Sequence, residues 1–378
     1  MHDKIMNEIN YDQIDDVEKE DLGSPRITTP YDPDKIKIDQ QNVNLGFLIE
    51  MLENDEIDLM PDFQRSMDLW DETKKSQLIE SLLLGLPLPS FYFSVDEKTN
   101  KWLVVDGLQR LCAFNNFIVE KKLSLIGLEF LHNFVGKTYN DLFREDKRKI
   151  SGAKINVYVI EKQTPSYVKF LIFKRVNTGG LVLTPQEIRH ALNQGIPAQF
   201  IEKLAELKEF KEVTCGSVKT KRMEDRDFAN RFVAFYLLGY HDKYEGELDK
   251  FINDGMELLA KIKKSDRKKV KEAFKSSMQL SFDIFGNDSF RKRYDIDDSR
   301  RRPISKAVYD TISVNLAWLS KEQQHILKKK KRKFRLGFIK LCNDNKFHNS
   351  ITTATGQKSN VKTRFECIKN LIEEILEK

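Results

Sequence analysis

The stretch from Trp102 to Phe117, which reads WLVVDGLQRLCAFNNF, constrains the fold of this chain more than any other. Its first four residues are apolar and rich in β-forming types, and they predict a buried strand. Asp106-Gly107 breaks the run, and the apolar residues that follow recur at helical spacing. A strand that turns directly into a helix leaves backbone N–H groups free at the helix start, which favours bound anions and phosphate above all. An ordinary strand–turn–helix connection with a surface arginine explains the same sequence, so an anion-binding turn and a purely structural turn both remain open.

Two Gln-Arg pairs, one in this stretch and one upstream, are candidate ligands for such an anion. Gln109 and Arg110 lie in the first turn of the predicted helix, where an amide and a guanidinium can donate to a phosphate. Gln64 and Arg65 follow another predicted strand. If the two strands lie side by side, both arginines converge on one ligand while Asp106 holds a divalent cation. This is the common division of roles at nucleotide sites that use Mg²⁺.

The segments around this stretch predict a compact α+β domain. A helix follows Asn42, a candidate N-cap, and a second helix runs from its cap Asp71 to a stop at Gly85. The third and fourth predicted strands form a hairpin across a polar turn. The predicted strands are Ile36–Ile38, Ile57–Leu59, Phe91–Val95, Trp102–Val105 and Asn156–Ile160.

From about Thr164 the apolar residues recur at helical spacing, which predicts an all-helical second domain. TPQE at 184–187 has the form of a capping box with proline at the first helical position, so a helix start is expected there. Residues 1–33 are polar and acidic and predict a flexible N-terminal arm. The expected organisation is an arm over 1–33, an α+β domain over 34–164 and a helical domain over 165–378, which makes the chain α+β overall.

Charged residues make up 32% and hydrophobic residues 40% of the 378 residues, as in a globular protein with a substantial core. No apolar run approaches the roughly 18 residues that span a bilayer. The first residues lack the apolar segment of a signal peptide. The four cysteines are scattered without a CxxC pair, so neither a disulfide framework nor a zinc ribbon is indicated. We expect a cytoplasmic protein without a membrane partner.

Basic residues are concentrated in the second half of the chain. Residues 201–378 carry 40 Lys+Arg against 27 Asp+Glu, a net charge of +13, whereas residues 1–200 carry 24 against 31, a net charge of −7. Clustered basic residues can bind a phosphate backbone, and the scarcity of aromatics among them favours duplex DNA over stacked single strands. A lysine-rich solvated surface explains the same composition. The candidate DNA-binding residues are Arg300, Arg301, Arg302, Lys329, Lys330, Lys331 and Arg332.

Six segments of the chain, in this order, resemble the GmrSD-type family, whose GmrS half carries a ParB/sulfiredoxin-like domain. No segment is decisive alone, and their common order carries the comparison. The resemblance spans about residues 40 to 240. The segments are PDFQR (61–65), W-x-x-x-x-K (70–75), LIESLLLGLPLPSFYF (78–93), VVDGLQRL (104–111), FKRVNTGGLVLTPQEIRHAL (173–192) and RMEDRDFANRFVAF (222–235).

The resemblance implies a ParB-like fold that binds or hydrolyses a nucleotide at a DGQQR-type motif. The sequence departs from that motif at Leu108, where the family has a glutamine, so a hydrogen bond to nucleotide or water is lost there. The departure affects hydrolysis more than binding. The positions that carry the motif here are Asp106, Gly107, Gln109 and Arg110, with Gln64 and Arg65 as a second phosphate-binding pair.

Two further regions contain candidate functional residues. Asn177 precedes a glycine pair, which permits close approach of the backbone to a ligand, and Arg189 lies on the helix after the capping box. The resemblance implies that this region faces the same cleft, so Asn177 and Arg189 join the candidate nucleotide-binding residues. A helix end followed by a well-capped helix explains most of the region without a ligand. Residues 222–226 and Arg231 alternate in charge and are interpreted as structural ion pairs.

Taken with the resemblance, these features predict a nucleotide-binding, NTP-hydrolysing, DNA-associated protein of a bacterial anti-phage defence or restriction system. NTP with Mg²⁺ is the expected cofactor, Asp106 the candidate metal ligand, and Asp106, Gln109 and Arg110 the candidate catalytic residues. None of the six histidines has an HNH-like setting, so we expect no HNH nuclease domain and assign DNA cleavage to a partner nuclease or defence subunit. The alternatives are a non-catalytic DNA-binding or protein-interaction module and a metal-dependent DNA nuclease.

Overall fold

The computed structural model of the protein describes residues 16–23, 33–59, 70–96, 99–176, 183–298 and 300–377. The chain divides into two compact units. One unit is Pro30–Leu192, and the other is Asn193–Lys378 together with the N-terminal segment Met1–Thr29. The sequence placed a domain boundary after residue 164, whereas in the structure the segment 165–192 groups with the first unit. No described helix is both long and apolar enough to cross a membrane.

A mixed β-sheet forms the centre of the α+β unit. Its strands lie in the order β1-β5-β3-β4-β2. β3 and β4 form the antiparallel hairpin that the sequence predicted, and β5 pairs antiparallel with β1 and parallel with β3. The strands of the described residues are β1 Ile38–Asn44, β2 Ile57–Asp58, β3 Phe91–Val95, β4 Trp102–Asp106 and β5 Lys154–Ile160.

Helices cover both faces of this sheet. Val104 packs in the larger core with α1 to α4, whereas its neighbour Val105 packs in a second cluster with Phe170 and Phe173 of α5 and Ile188 of α6. A sheet that is buried on both faces explains why β4 reads as a continuous apolar run. Among the described residues of this unit, the helices are α1 Leu45–Glu53, α2 Glu72–Leu83, α3 Leu108–Phe114, α4 Arg144–Gly152, α5 Ser166–Val176 and α6 Pro185–Leu192.

Several local signals in the sequence are confirmed. The Asp71 carboxylate caps α2 by accepting a hydrogen bond from the Lys74 N–H at 2.8 Å. α2 ends just before Gly85, which has a φ of +73°. At the start of α6, the Thr184 N–H donates to Glu187 Oε2 at 2.7 Å, and the Glu187 N–H donates to Thr184 Oγ1 at 3.2 Å. This reciprocal pair is the predicted capping box.

The start of the α+β unit differs from the prediction. The sequence predicted a strand that ends at Ile38 and a helix that already contains Val43. In the structure β1 continues to Asn44, and α1 begins at Leu45. β1 pairs with β5 along its whole length, from Ile38 opposite Ile160 to Asn44 opposite Lys154. This long-range pairing overrides the local preference for helix.

The second unit is helical, as the sequence predicted. Phe228, Phe232 and Phe235 of one helix are fully buried, and Phe232 packs edge-on against Phe274 with 4.9 Å between ring centroids. The helices of the described residues are α7 Ile196–Ala205, α8 Lys208–Thr214, α9 Glu224–Leu238, α10 Leu248–Lys261, α11 Lys264–Phe285, α12 Lys306–Ala317, α13 Lys321–Lys329, α14 Lys331–Asn343, α15 Asn345–Thr352 and α16 Lys358–Glu377.

Residues 16–23 of the predicted flexible arm pack on this helical unit. Val17 forms an isolated parallel bridge with Ile304. The Glu18 N–H donates to the Ile304 carbonyl at 2.8 Å, and the Ile304 N–H donates to the Asp16 carbonyl at 3.0 Å. The expectation of a flexible arm therefore does not hold for 16–23. Residues 1–15 and 24–32 of the arm lie outside the described residues.

Candidate functional site

The turn between β4 and α3 requires glycine for two separate reasons. Gly107 has a φ of +100°, a conformation that residues with a Cβ rarely adopt. A Cβ at this position would also lie 2.4 Å from the Phe91 ring. The Asp-Gly sequence therefore sets both the backbone path of the turn and its close packing on β3.

Arg110 is bound by the protein itself. Its side chain is nearly buried, and its Nη2 lies 2.9 Å from Asp106 Oδ2. It also donates to the carbonyl oxygens of Ser90, at 3.1 Å, and Pro89, and its guanidinium lies 4.2 Å over the Phe91 ring. Arg110 thus holds the entry to β3, the end of β4 and the first turn of α3 together. The role that the geometry shows for this residue is positioning.

Asp106 keeps one open side. Its side chain is 26% exposed, so the carboxylate can reach a ligand from solvent. Burial raises the pKa of Asp106, and the positive charge of Arg110 opposes that rise. Burial likewise lowers the pKa of Arg110, against the attraction of Asp106. A carboxylate that is partly desolvated and still accessible gains from a cationic partner such as Mg²⁺.

The two strands that precede the Gln-Arg pairs lie side by side, as the sequence hypothesis required. β2 pairs parallel with β4, with Ile57 opposite Trp102 and Asp58 opposite Leu103. The carboxyl ends of parallel neighbours meet at one edge of a sheet, which is where ligands bind in such folds. Gln64 and Arg65 themselves lie outside the described residues, so their approach to the turn stays a prediction.

Gln109 anchors the chain where it returns from that segment. Its side-chain Oε1 accepts a hydrogen bond from the backbone N–H of Trp70 at 3.3 Å. Trp70 is the first described residue after 60–69, the stretch that contains Gln64 and Arg65. The described residues on either side of that stretch therefore lie close to the turn: β2 pairs with β4, and Trp70 contacts the start of α3.

The sequence did not single out Tyr92, which the structure brings next to Asp106. The two residues are opposite each other in the β3–β4 ladder, and a β-bulge follows between Tyr92 and Phe93. The Tyr92 ring stacks on Tyr158 with 4.8 Å between centroids. Burial raises the pKa of Tyr92, and Tyr158 and Asp106 add to the rise. The apolar run FYFSV predicted a strand and held no signal for this contact.

The remaining candidate nucleotide-binding residues of the α+β unit lie partly in its core and partly outside the described residues. Arg189 is 1% exposed and lies 5.3 Å over the Phe170 ring, inside the layer that α5 and α6 form on the sheet. His190 is also buried. Asn177 lies outside the described residues. The predicted nucleotide contacts of Asn177 and Arg189 stay predictions, and the burial of Arg189 favours a packing role.

The arginines at 300–302 take part in a network of ion pairs and hydrogen bonds. Arg300 and Arg302 lie 2.8 and 3.0 Å from the two carboxylate oxygens of Asp298. Hydrogen bonds from both arginines hold the pKa of Asp298 well below its usual range. Arg301 donates to Ser217 Oγ at 2.6 Å. These contacts neutralise part of the charge that the sequence assigned to DNA.

The lysine-rich turn between α13 and α14 is more open. Lys329, Lys331 and Arg332 are exposed, and the structure shows no ion pair for them within the part of the chain that it describes. Lys330 donates to the Ile375 carbonyl at 2.9 Å. Among the candidate DNA-binding residues, these three exposed side chains are the ones best able to contact a phosphate backbone without breaking internal contacts.

A Mg²⁺ site made wholly by the protein is not found in the described residues, which contain no group of three or more His, Cys, Asp or Glu side chains suited to a metal. Mg²⁺ commonly binds through one or two carboxylates and the phosphates of a substrate. Asp106 fits that pattern as a single accessible carboxylate. Arg110 fits less well as a phosphate ligand, because three hydrogen bonds from its guanidinium already go to Asp106 and two carbonyl oxygens.

Most of the α+β unit matches a known protein family. Residues 48–193 match the family described as GmrSD restriction endonuclease, N-terminal domain. This match confirms, for residues 48–193, the resemblance that the sequence motifs indicated. The match ends at residue 193, one residue past the unit boundary. It supports a DNA-associated protein of restriction or anti-phage defence, whereas the lack of an HNH domain stays a prediction.

Searches of curated proteins and of solved structures found no match to the chain. The α+β and helical architecture is confirmed by the structure itself. Kinship of the sheet with ParB and sulfiredoxin remains a prediction from the sequence resemblance.

Proposed function

We infer that this protein binds an NTP with Mg²⁺ at the turn between β4 and α3 and couples that binding to a DNA-associated role in restriction or anti-phage defence. The observation that carries the proposal is the parallel pairing of β2 with β4 within a GmrSD-type domain. β2 and the turn with Asp106 thus share one edge of the sheet, and in this proposal Gln64 and Arg65, which follow β2 in the sequence, act at that edge.

The residues of the turn have distinct roles in this proposal. Asp106 binds the Mg²⁺ that accompanies the nucleotide, or accepts a proton from a water molecule. Gly107 allows a close approach of the backbone, while Gln109 orients a phosphate or a water. Arg110 positions Asp106 and the turn, and phosphate binding passes to Arg65. The Mg²⁺ ion would supply charge neutralisation to the phosphates.

Hydrolysis of the NTP is part of the proposal, and Leu108 sets its rate. The Leu108 side chain packs against the apolar core of the α+β unit, at the position where the family motif has glutamine. A leucine cannot donate to a phosphate or hold a water. We expect turnover to be slow compared with binding.

The substitution Asp106→Asn tests the site, because it removes the charge while preserving the shape of the side chain. We expect the thermal stabilisation by NTP and Mg²⁺ to be lost, since a ligand stabilises only the fold that binds it. Asp39→Asn is the matched control. Asp39 is an exposed carboxylate on β1, which β5 and β3 separate from β4.

The measurement is the melting temperature with each NTP, with and without Mg²⁺, followed by phosphate release for any NTP that binds. Equal stabilisation of the wild type and Asp106→Asn would remove Asp106 from the site. If no NTP stabilises the wild type or either variant, the alternative of a non-catalytic DNA-binding or interaction module is favoured.

A further inference from the structure

Residues 16–23, here called the acidic strap, meet a row of cations on the helical unit. The acidic side chains Asp16, Glu18 and Glu20 alternate along the strap. In an extended segment, side chains two residues apart point to the same side and lie roughly 6.6 Å apart. The intervening Val17 packs against the apolar core and pairs with Ile304. The strap presents these three carboxylates to cations of the helical unit.

Each of these carboxylates binds one cation, here called the cation row. Lys219 Nζ lies 2.6 Å from Asp16, and Lys292 Nζ lies 2.5 Å from Glu18. Arg231 binds both oxygens of Glu20 at 2.9 Å. The exposed fraction of the cationic side chains falls along the row, from 59% for Lys219 to 9% for Lys292 and 3% for Arg231.

The innermost position is short of negative charge without the strap. Arg231 and the fully buried Arg364 share the buried carboxylate of Asp310, at 2.6 and 3.5 Å. Glu20 supplies the second negative charge that balances these two arginines. Thr355 Oγ1 also donates to Glu20 at 3.0 Å. A charge-balanced cluster thus depends on a residue from a short, separate segment.

Hydrogen bonds between Asp21 and residues 354 and 355 hold the end of the strap, and charge holds its first part more than apolar burial does. Leu22 is 39% exposed, and Val17 is only partly buried. The side chains of Asp16 and Glu18 remain 36% and 34% exposed, so water and ions reach the outer pairs. The hydrogen bond from Lys219, with the charges of Lys219 and Arg301, lowers the pKa of Asp16, which shows that the groove favours an anion there. Such contacts weaken with salt and can be exchanged for another polyanion.

Building on the DNA association inferred above, we propose that the cation row is a binding groove for the phosphate backbone of duplex DNA and that the acidic strap covers it until DNA displaces the strap. Lysine and arginine donate to phosphate oxygens in the same way as to carboxylates. The strap thus occupies donors that a row of phosphates would use. The net charge of +13 over residues 201–378 favours a polyanion as the incoming partner.

A neutralised strap tests the proposal directly. The double variant Asp16→Asn with Glu18→Gln removes the two outer pairs and retains Glu20, so the buried cluster keeps its balance. We expect this variant to bind a labelled duplex about tenfold more tightly than the wild type. Its salt dependence should steepen by about two in log–log slope, since each neutralised phosphate contributes about 0.9. Fluorescence anisotropy over a range of salt concentrations measures both quantities.

The control carries the same change in net charge elsewhere on the helical unit. Glu206→Gln with Glu245→Gln alters two exposed glutamates, for which the described residues show no ion pair. This variant should bind DNA like the wild type. A control that gains as much affinity as the strap variant would overturn the proposal, because net charge alone would then explain the effect.

Trypsin gives a second readout that does not depend on affinity. Lys19 is exposed in the middle of the strap, and cleavage after it requires the strap to leave the groove. We expect duplex DNA to accelerate this cleavage in the wild type, and the neutralised strap to be cut quickly without DNA. Cleavage unaffected by both would overturn the proposal.

The outcomes separate this inference from the proposed function. If wild type, strap variant and control bind DNA equally, only the groove is rejected, and nucleotide binding at Asp106 is unaffected. If none of them binds DNA at low salt, the groove and the DNA association fail together. Lys219→Gln and Lys292→Gln, added to the strap variant, should abolish its extra affinity for DNA. If the extra affinity persists, the assignment of the cation row is contradicted.

Discussion

The buried arginines Arg110 and Arg231 both pair with carboxylates, but they do so in contrasting ways. In the α+β unit, Arg110 binds Asp106, four residues earlier in the chain, and that carboxylate stays 26% exposed. In the helical unit, Arg231 binds Asp310, which is fully buried, and Glu20, which is 211 residues away in sequence. The first pair leaves an accessible anion at a turn, whereas the charges of the second group are almost fully buried.

The difference shows how the same pairing serves separate purposes. Arg110 fixes the geometry around a carboxylate that can still meet a ligand. Arg231 instead lies below a removable segment, and its partner Glu20 can be exchanged for another anion. A buried ion pair is weak evidence for stability by itself, because desolvation offsets much of the attraction. The partner in such a pair that solvent can reach, or that can be displaced, indicates where a ligand can bind.

The largest expected effect comes from breaking the enclosed cluster. Asp310→Asn leaves Arg231 and Arg364 buried with one carboxylate fewer, and we expect the free energy of unfolding of the helical unit to fall by about 3–5 kcal/mol. Urea denaturation followed by circular dichroism measures the loss. Asp254→Asn is the control, because Asp254 forms an exposed helical pair with Lys250 at 2.9 Å. Its removal should cost less than about 0.5 kcal/mol. A loss below about 1 kcal/mol for Asp310→Asn would contradict the charge balance described for this cluster.

A smaller effect is expected at the accessible turn. Gly107→Ala forces a Cβ into a left-handed conformation and against Phe91, so we expect a loss of about 2–3 kcal/mol. Gly152→Ala is the matched control in the same unit, since a Cβ at the end of α4 meets nothing within 4 Å. That change should be neutral or slightly stabilising. Equal unfolding free energies for the two variants would show that the turn does not require glycine.

Much of the α+β unit could be predicted because its signals are local. The cap at Asp71, the capping box at Thr184 and the hairpin all depend on residues within a few positions of each other. The same is true of the Asp106-Gly107 turn. The side-by-side arrangement of β2 and β4 was a premise of the sequence hypothesis, and the structure confirms it.

The features that the sequence did not predict depend on distant contacts. The spacing of apolar residues correctly predicts that α5 and α6 are helices. It does not predict that they pack on the sheet instead of on other helices. The sequence suggests that Arg110 can bind phosphate. Its carbonyl partners at residues 89 and 90 lie before the hairpin, so local sequence does not reveal these contacts. The sequence predicts a flexible arm at the strap, because the cations that bind it lie some 200 to 270 residues away in sequence.

The most direct test of the central claim is the stabilisation by Mg²⁺ and NTP as a function of pH, in the wild type and in Asp106→Asn. Mg²⁺ binds the ionised carboxylate, and the pKa of Asp106 is raised above its ordinary value of 3.8 by burial. We predict that stabilisation of the wild type declines as the pH falls, at a higher pH than an ordinary aspartate would give, and that Asp106→Asn shows no stabilisation at any pH. Stabilisation of both proteins with the same pH profile would contradict the assignment of the site.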